Sequence, residues 1–395
     1  MEEMQRIGQD WGCILRGVKM SFDFNRFVFA FLGIVISILW ILMLLAFFTG
    51  SGLLMVKTSL LVNNSLFTLH PGFSHLFTIY TDSLRVAGWG EYAALTLLAL
   101  GLLAIWSVAG GSITRLTALE FVKNEKADIK ESLSFALKKF WSYFWSPIVP
   151  LLGVLFFTVC NIFGGLFGQI HYVGDVAVAI GFPLAIISGF FIVFIGIVGV
   201  VGFFLMFPAI SAEGSDTFDA MSRSYSYVLA RPKRFVSLFL GIIICGVIFA
   251  FFAGSIACLV MQTTFYTVGF GMGQKFESIR AVLSGGVTPA IEGSVGMVSS
   301  GSWSLKFVTV MLMFYIVLVK VTVASFVIAY AGSASTISYF ILRKDVDGTE
   351  MCDVFIDKIG NRKNENSADL IQKLEDKTPA GKEISKKRIP EESDT

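Results

Sequence analysis

The stretch RFVFAFLGIVI, residues 26–36, opens the first long apolar run and decides the fold, because it recurs. Residues 234–244 read RFVSLFLGIII and are identical to it at eight of eleven positions, and a weaker copy, SPIVPLLGV, occupies residues 146–154. Each copy precedes a second apolar run. The repeat therefore predicts three similar membrane-spanning hairpins, with Gly33, Gly153 and Gly241 at equivalent depths where a neighbouring helix approaches closely.

Composition excludes a soluble globular protein. The chain is 55% hydrophobic and only 15% charged, and it contains 39 phenylalanines. A soluble protein of 395 residues could not cover that much apolar surface. The five cysteines are scattered singly, without a Cys-x-x-Cys motif, so the sequence supports neither a disulfide framework nor a zinc site.

Six runs are long enough to cross about 30 Å of hydrocarbon. They are residues 27–48, 92–114, 148–167, 176–206, 235–260 and 307–342. The predicted fold is an all-α integral membrane protein of six transmembrane helices. Residues 1–26 form a cytoplasmic amphipathic segment ahead of the domain at 27–342, and residues 343–395 form a cytoplasmic tail, disordered over most of its length.

Lysine and arginine alternate sides in step with these six crossings. They are frequent in the N-terminal segment and in the connections after the second and fourth runs, and sparse in the loops at 49–91, 168–175 and 261–306. By the positive-inside rule, both termini face the cytoplasm. The expected location is the bacterial inner membrane.

A short amphipathic stretch precedes each odd-numbered run. In the second stretch, apolar residues recur at helical spacing. They are Ile129, Leu133, Leu137, Phe140, Trp141 and Phe144. Such helices either lie in the headgroup plane or pack on the inner mouth of the bundle, and we favour the first arrangement.

A carboxylate closes the second and fourth runs, at Glu120 and Glu213, and a basic residue follows ten positions later, at Lys130 and Arg223. One interpretation is a charged ring that gates a pathway at the inner mouth. The other is a structural pair that ties each hairpin to its amphipathic helix, and we favour this second interpretation.

A family resemblance rests on residues 207–214, FPAISAEG, followed by Asp219-Ala220 and Arg223-Ser224. This pattern resembles the membrane domain that precedes the catalytic domain of some bacterial glycerophosphodiester phosphodiesterases, and that of many uncharacterised relatives. The C-terminal YFILR at 339–343 is similar to the end of a stand-alone branch. Because no phosphodiesterase domain is present, the resemblance implies a membrane scaffold rather than that enzymatic activity.

Signatures of enzymes and metal sites are missing from the sequence. It has no His-Glu-x-x-His motif and no aspartate within a predicted span. His70, His75 and Asp82 share the outer loop at 49–91, but His-x-x-x-x-His is not a usual zinc spacing. We predict a protein that is not an enzyme and needs no cofactor or metal.

The favoured function is a structural or accessory membrane component. Its expected partners are the lipid bilayer and a membrane protein bound through the tail, with no nucleic acid. The alternative is a small-solute transporter or channel, which the internal repeats and the glycine-rich fourth run would suit.

Lys320 is the candidate functional residue on the transport hypothesis, and two positions are open for it. If Arg343 marks the inner boundary, Lys320 lies about 35 Å away and reaches the outer headgroups. If Ala331-Gly332 aligns with Ala109-Gly110, Lys320 lies mid-membrane and should face the bundle interior, where a charge needs a partner. We prefer the second alignment because it follows the repeat.

Overall fold

A computed structural model describes residues 17, 19–20, 23–48, 89–123, 126–170, 173–273, 303–349 and 354–355. The helices of this part of the chain, in order, are α1 Phe24–Phe48, α2 Trp89–Lys123, α3 Ile129–Lys138, α4 Phe140–Trp145, α5 Ile148–Phe167, α6 Val173–Glu213, α7 Thr217–Ala230, α8 Pro232–Met272 and α9 Trp303–Asp347. The described residues from 17 to 349 belong to one compact unit, and residues 354 and 355 belong to a second unit of the chain.

Six of these helices are long and apolar enough to cross a membrane: α1, α2, α5, α6, α8 and α9. The predicted class, an all-α protein with six membrane-length helices, is confirmed. Five of the six helices extend beyond the predicted spans, and α5 has the predicted bounds. The 45 residues of α9 and the 41 residues of α6 and of α8 give lengths of about 60 Å or more, twice the hydrocarbon thickness.

The even-numbered spans of the sequence, α2, α6 and α9, contact one another and form a central three-helix group. Consecutive spans also pack in pairs, α1 with α2, α5 with α6 and α8 with α9, and α1 lies in addition against α9. Of the glycines in the repeated motif, Gly33 lies at a tight contact and Gly153 has room for a side chain. A Cβ on Gly33 would lie 3.0 Å from that of Ala109 in α2, and one on Gly153 would lie 3.6 Å from the side chain of Ile195 in α6.

The short helices α3, α4 and α7 lie at the end of the bundle where α2, α6 and α9 finish, which we call the polar end. Asp128 caps α3 by accepting a 3.2 Å hydrogen bond from the Lys130 backbone N–H. Helix α3 packs against α2 and buries Phe135. Leu137 of α3 and Trp141 of α4 stay exposed. These helices therefore pack on the bundle and also present apolar side chains outward.

Burial is concentrated at the polar end. It covers α2 from Ser107 to Leu119, α6 from Leu205 to Ala212 and α9 from Ser325 to Leu342. The opposite part of the bundle, which we call the apolar half, exposes large side chains such as Phe156, Phe190 and Phe251. Aqueous exposure of so much apolar surface would be untenable, so this surface faces lipid.

Several predictions fall outside the described residues. They concern the amphipathic N-terminal segment before residue 17, most of the loop at 49–91 with His70, His75 and Asp82, most of the loop at 261–306, and the tail beyond residue 355. Within the described part, α8 continues into the predicted 261–306 loop as far as Met272, and α9 continues past Arg343 to Asp347.

Candidate functional site

Small residues let the three central helices meet closely at the polar end. Ala118 of α2, Ala212 of α6 and Ala334 of α9 have no exposed surface. A Cβ on Gly332 would lie 2.7 Å from the Ile113 side chain, so only glycine fits there without a shift. The backbones approach each other at the level where the buried charged residues begin.

Arg26, the first residue of the repeated motif, is fully buried and joins α1 to the end of α2. Its guanidinium donates to the Glu120 carboxylate, to the Thr117 hydroxyl at 3.1 Å and to the Met20 carbonyl at 2.5 Å. The Asp23 carboxylate lies 3.9 Å away. Four oxygens thus surround one buried cation, which is the condition under which a buried charge is tolerated.

Lys130, which the sequence placed opposite Glu120, does not take that role. It is exposed on α3, and the Glu120 carboxylate pairs with Arg26. A lysine at the surface of α3 keeps its ammonium group hydrated, whereas Arg26 is buried where only a carboxylate can balance it.

Glu213 at the end of α6 collects donors from two other helices. Its carboxylate lies 2.6 Å from Arg223 of α7 and 3.3 Å from Arg343 of α9, and it accepts a 2.5 Å hydrogen bond from the Tyr339 hydroxyl. Arg223 is held a second time by Asp219 at 3.1 Å. Burial lowers the pKa of Arg223, but Glu213 and Asp219 outweigh that effect and raise it, so the guanidinium stays charged.

Gly214 explains how a residue ten positions later returns to Glu213. Its φ of 64° lies in the left-handed region, and its N–H donates to the Ile210 carbonyl at 2.9 Å, which ends α6. The chain then reverses, and α7 packs back against α6. The Glu-Gly pair in the sequence is therefore a helix terminator next to an ion-pair partner.

Arg115 and Ser211 form the third part of the network, and sequence reasoning assigned neither a site role. Arg115 is 1% exposed, lies 4.1 Å above the Phe135 ring and donates to the Ser211 carbonyl at 2.7 Å. The Ser211 hydroxyl in turn contacts those of Thr114 at 2.6 Å and Tyr143 at 2.8 Å. The sequence holds one weak signal for this part of the network. Arg115 directly follows the apolar run at 92–114.

Burial raises the pKa of the Tyr143 hydroxyl, and the hydrogen bond with Ser211 offsets part of that rise. Tyr143 therefore stays neutral.

A further contact fixes the end of α9, where the Tyr227 hydroxyl donates to Asp347 and Arg234 lies 2.9 Å from Asp345. Burial, reinforced by Asp347, raises the pKa of Tyr227 to about 12.

Chemically, this network joins helices. Its carboxylates Glu120 and Glu213 pair with arginines, and the hydroxyls named above bond to one another, to backbone carbonyls or to carboxylates. Among the described residues, no group of three His, Cys, Asp or Glu is placed to hold a metal ion.

Lys320 lies far from the network and is exposed on α9, while its neighbour Val321 is buried. The predicted interior orientation is therefore wrong. The side chains of α9 are mostly buried only at the polar end, from Ser325 onward. Lys320 lies on the preceding stretch, where most side chains are exposed.

Comparison of the chain with protein-family models, with curated proteins and with solved structures gave no match. The resemblance to the membrane domain of glycerophosphodiester phosphodiesterases stays a prediction from the sequence motif.

Proposed function

We propose that the protein is a structural or accessory component of the membrane, without enzymatic activity, whose polar end stays closed while it works. The observation that carries this proposal is the position of Glu213, which holds donors from α7 and α9 at the meeting point of the central helices. A closed end suits a scaffold that presents fixed surfaces to lipid and to a partner protein.

The alternative, a transporter, requires the polar end to open and close. Separation of α6 from α9 would leave Glu213 without Arg343 and Tyr339. Glu213 would keep Arg223 of α7 but would lose both contacts that join it to α9. Opening would in addition break the Thr114–Ser211 contact between α2 and α6. The network therefore favours the scaffold over the transporter.

Thiol accessibility distinguishes the two functions. In a variant whose five cysteines are replaced, Thr114→Cys places a probe at the closed centre and Ser222→Cys places a matched probe on the exposed surface of α7. We expect a membrane-impermeant maleimide, applied to inside-out vesicles, to modify Ser222→Cys and to spare Thr114→Cys with or without a membrane potential.

Modification of Thr114→Cys at a rate similar to that of Ser222→Cys would contradict a permanently closed end. Both variants should first be shown to elute as the parent protein does, so that protection reports packing and not aggregation. Failure of Ser222→Cys to react in inside-out vesicles, together with reaction in intact cells, would instead overturn the proposed cytoplasmic location of the polar end.

A partner protein bound through the tail is the second half of the proposal. Truncation after Thr349 keeps Asp345 and Asp347, which bind Arg234 and Tyr227, and removes the mixed-charge remainder. We expect the truncated protein to insert and fold normally but to lose a membrane protein that copurifies with the full chain. Equal recovery from both would contradict a role for the tail.

A further inference from the structure

One face of α8 changes from charged to apolar along its length. Lys233 lies at the beginning of this face and is exposed. The exposed apolar residues that follow it at intervals of three or four are Val236, Leu240, Ile244, Val247 and Phe251. We call Lys233 and these five residues the outer stripe of α8. Side chains with this spacing lie one above another on a helix, so the stripe is continuous.

The opposite face of α8 packs on the protein. Phe235, Leu238 and Ile242 are buried there. The outer stripe therefore points away from the bundle, where the apolar surface of α8 faces lipid. Lys233 precedes Val236 by about 4.5 Å along the helix axis, so its ammonium group lies where the apolar surface ends and phospholipid headgroups begin.

A second cation lies two residues before Lys233. Arg231 directly precedes α8 and is exposed as well. In the part of the chain that the structure describes, no carboxylate lies within 4 Å of either cation, and the nearby Asp345 pairs with Arg234 instead. Two such cations at the end of an apolar face suit a ligand that is anionic at one end and apolar along its length.

The apolar part of the outer stripe recurs in the other two copies of the repeated motif. When the copies are aligned on their shared glycine, Leu32 of α1 and Leu152 of α5 match Leu240, and both are exposed. One turn further along, Ile36 and Phe156 are exposed as well. An outward apolar face is therefore common to the three copies, and it does not by itself distinguish one lipid from another.

The residues at the beginning of this face do differ among the copies. The position of Lys233 is occupied by Asn25 in the first copy and by Trp145 in the second, and the position of Arg231 is occupied by Asp23 in the first copy. Only the third copy has cations at these two positions. A ligand selected by negative charge should therefore bind at α8 and not at α1 or α5.

We propose that Arg231 and the outer stripe of α8 bind an acidic phospholipid. Its phosphodiester lies against Arg231 and Lys233, and one acyl chain lies along the apolar residues of the stripe. A zwitterionic phospholipid is disfavoured, because its ammonium group would lie close to two cations that no carboxylate neutralises. This inference depends on membrane insertion and not on the scaffold role.

Native mass spectrometry of the full chain tests this proposal. The protein in detergent micelles is titrated with an equimolar mixture of dioleoyl phosphatidylglycerol and dioleoyl phosphatidylethanolamine, whose adducts differ in mass. We expect the first lipid bound to be phosphatidylglycerol, preferred on the order of tenfold. Arg231→Gln or Lys233→Gln should each reduce this preference about threefold, and the double variant should abolish it.

Lys130→Gln is the matched control. Lys130 is also an exposed lysine of the polar end, but its neighbours on the surface of α3, Glu131 and Ser134, are polar. Its replacement removes the same charge and should leave the preference for phosphatidylglycerol unchanged. All the variants change exposed side chains and should elute as the parent protein does. A reduction by Lys130→Gln as large as that by Lys233→Gln would overturn the proposal, because attraction to total charge would then explain the preference.

Three further results would overturn the proposal. They are equal binding of the two lipids by the wild type, a preference that the double variant retains, and displacement of phosphatidylglycerol by millimolar inorganic phosphate. In the last case a soluble anion would suffice, and the apolar stripe would have no role. None of these results depends on thiol protection at Thr114, so failure of this inference and failure of the scaffold proposal are separable.

Discussion

The polar end and the apolar half of the same bundle are held together in different ways. At the polar end, buried arginines and hydroxyls and partly buried glutamates join helices that are distant in sequence, as Arg26 joins Glu120 and Arg115 joins Ser211. In the apolar half, α5 has hardly a buried residue, and its Phe156, Phe163 and Phe167 side chains are exposed. Lipid substitutes there for protein neighbours.

This contrast follows from the solvent. In hydrocarbon the hydrophobic effect does not drive apolar helices to associate. Close packing and polar contacts must therefore supply the free energy of helix association. The polar end has both, since Gly332 and Gly111 let side chains of neighbouring helices approach within 3 Å of where a Cβ would be. Stability should therefore be concentrated at the polar end.

The largest effect is expected from Arg26→Met, which leaves the partly buried Glu120 carboxylate without its cation. We expect the free energy of unfolding to fall by about 3–5 kcal/mol, measured by denaturant titration in bicelles. The double variant Arg26→Met/Glu120→Met should recover most of this loss, because two apolar side chains need no partner.

Lys130→Met is the control for that experiment, because Lys130 is the exposed residue that local sequence spacing favoured. Its effect should stay within about 0.5 kcal/mol. A Lys130→Met loss as large as that of Arg26→Met would show that the ion pair at Glu120 is assigned to the wrong cation.

Glycine-to-alanine changes should have intermediate effects on the free energy of unfolding. The effect should be a loss at the polar end and a gain in the apolar half. Gly332→Ala forces the stiff, branched side chain of Ile113 to move and should destabilise the protein by about 1–2 kcal/mol. Gly254→Ala enters open space in α8 and should stabilise it by up to about 1 kcal/mol. Equal effects, measured in the same bicelles, would remove the distinction between the two regions.

The smallest effect is expected from Lys320→Met. Because the lysine is exposed on α9, its replacement should change the free energy of unfolding by less than about 0.5 kcal/mol. A loss above about 1 kcal/mol would reveal a partner for the ammonium group and restore Lys320 as a candidate in transport.

The sequence predicted one of the two ion pairs as the structure has it. Glu213 and Arg223 are ten residues apart, and Gly214 reverses the chain between them, so the contact is local. Glu120 and Lys130 have the same spacing, but Arg26, 94 residues away, takes the carboxylate. Spacing along the chain identifies local partners and cannot rank them against distant ones.

Arg115 and Ser211 could not be paired from the sequence, because their contact depends on how α2 and α6 are rotated about their axes. The same limit applies to Lys320. The repeat favoured a mid-membrane depth and an interior orientation for Lys320, but the direction of its side chain depends on which stretch of α9 has neighbours. A helix that is apolar on nearly all sides has little amphipathic periodicity, so its sequence does not indicate which face is buried.

The sequence by itself determined the class, the number of membrane-length helices and the local Glu-Gly helix end, because hydrophobic length and a left-handed glycine are properties of short segments. Only the tertiary structure decided that α2, α6 and α9 form the centre and that Arg26 neutralises Glu120. These features depend on which helix faces meet, and each meeting is set by contacts between segments far apart in the chain.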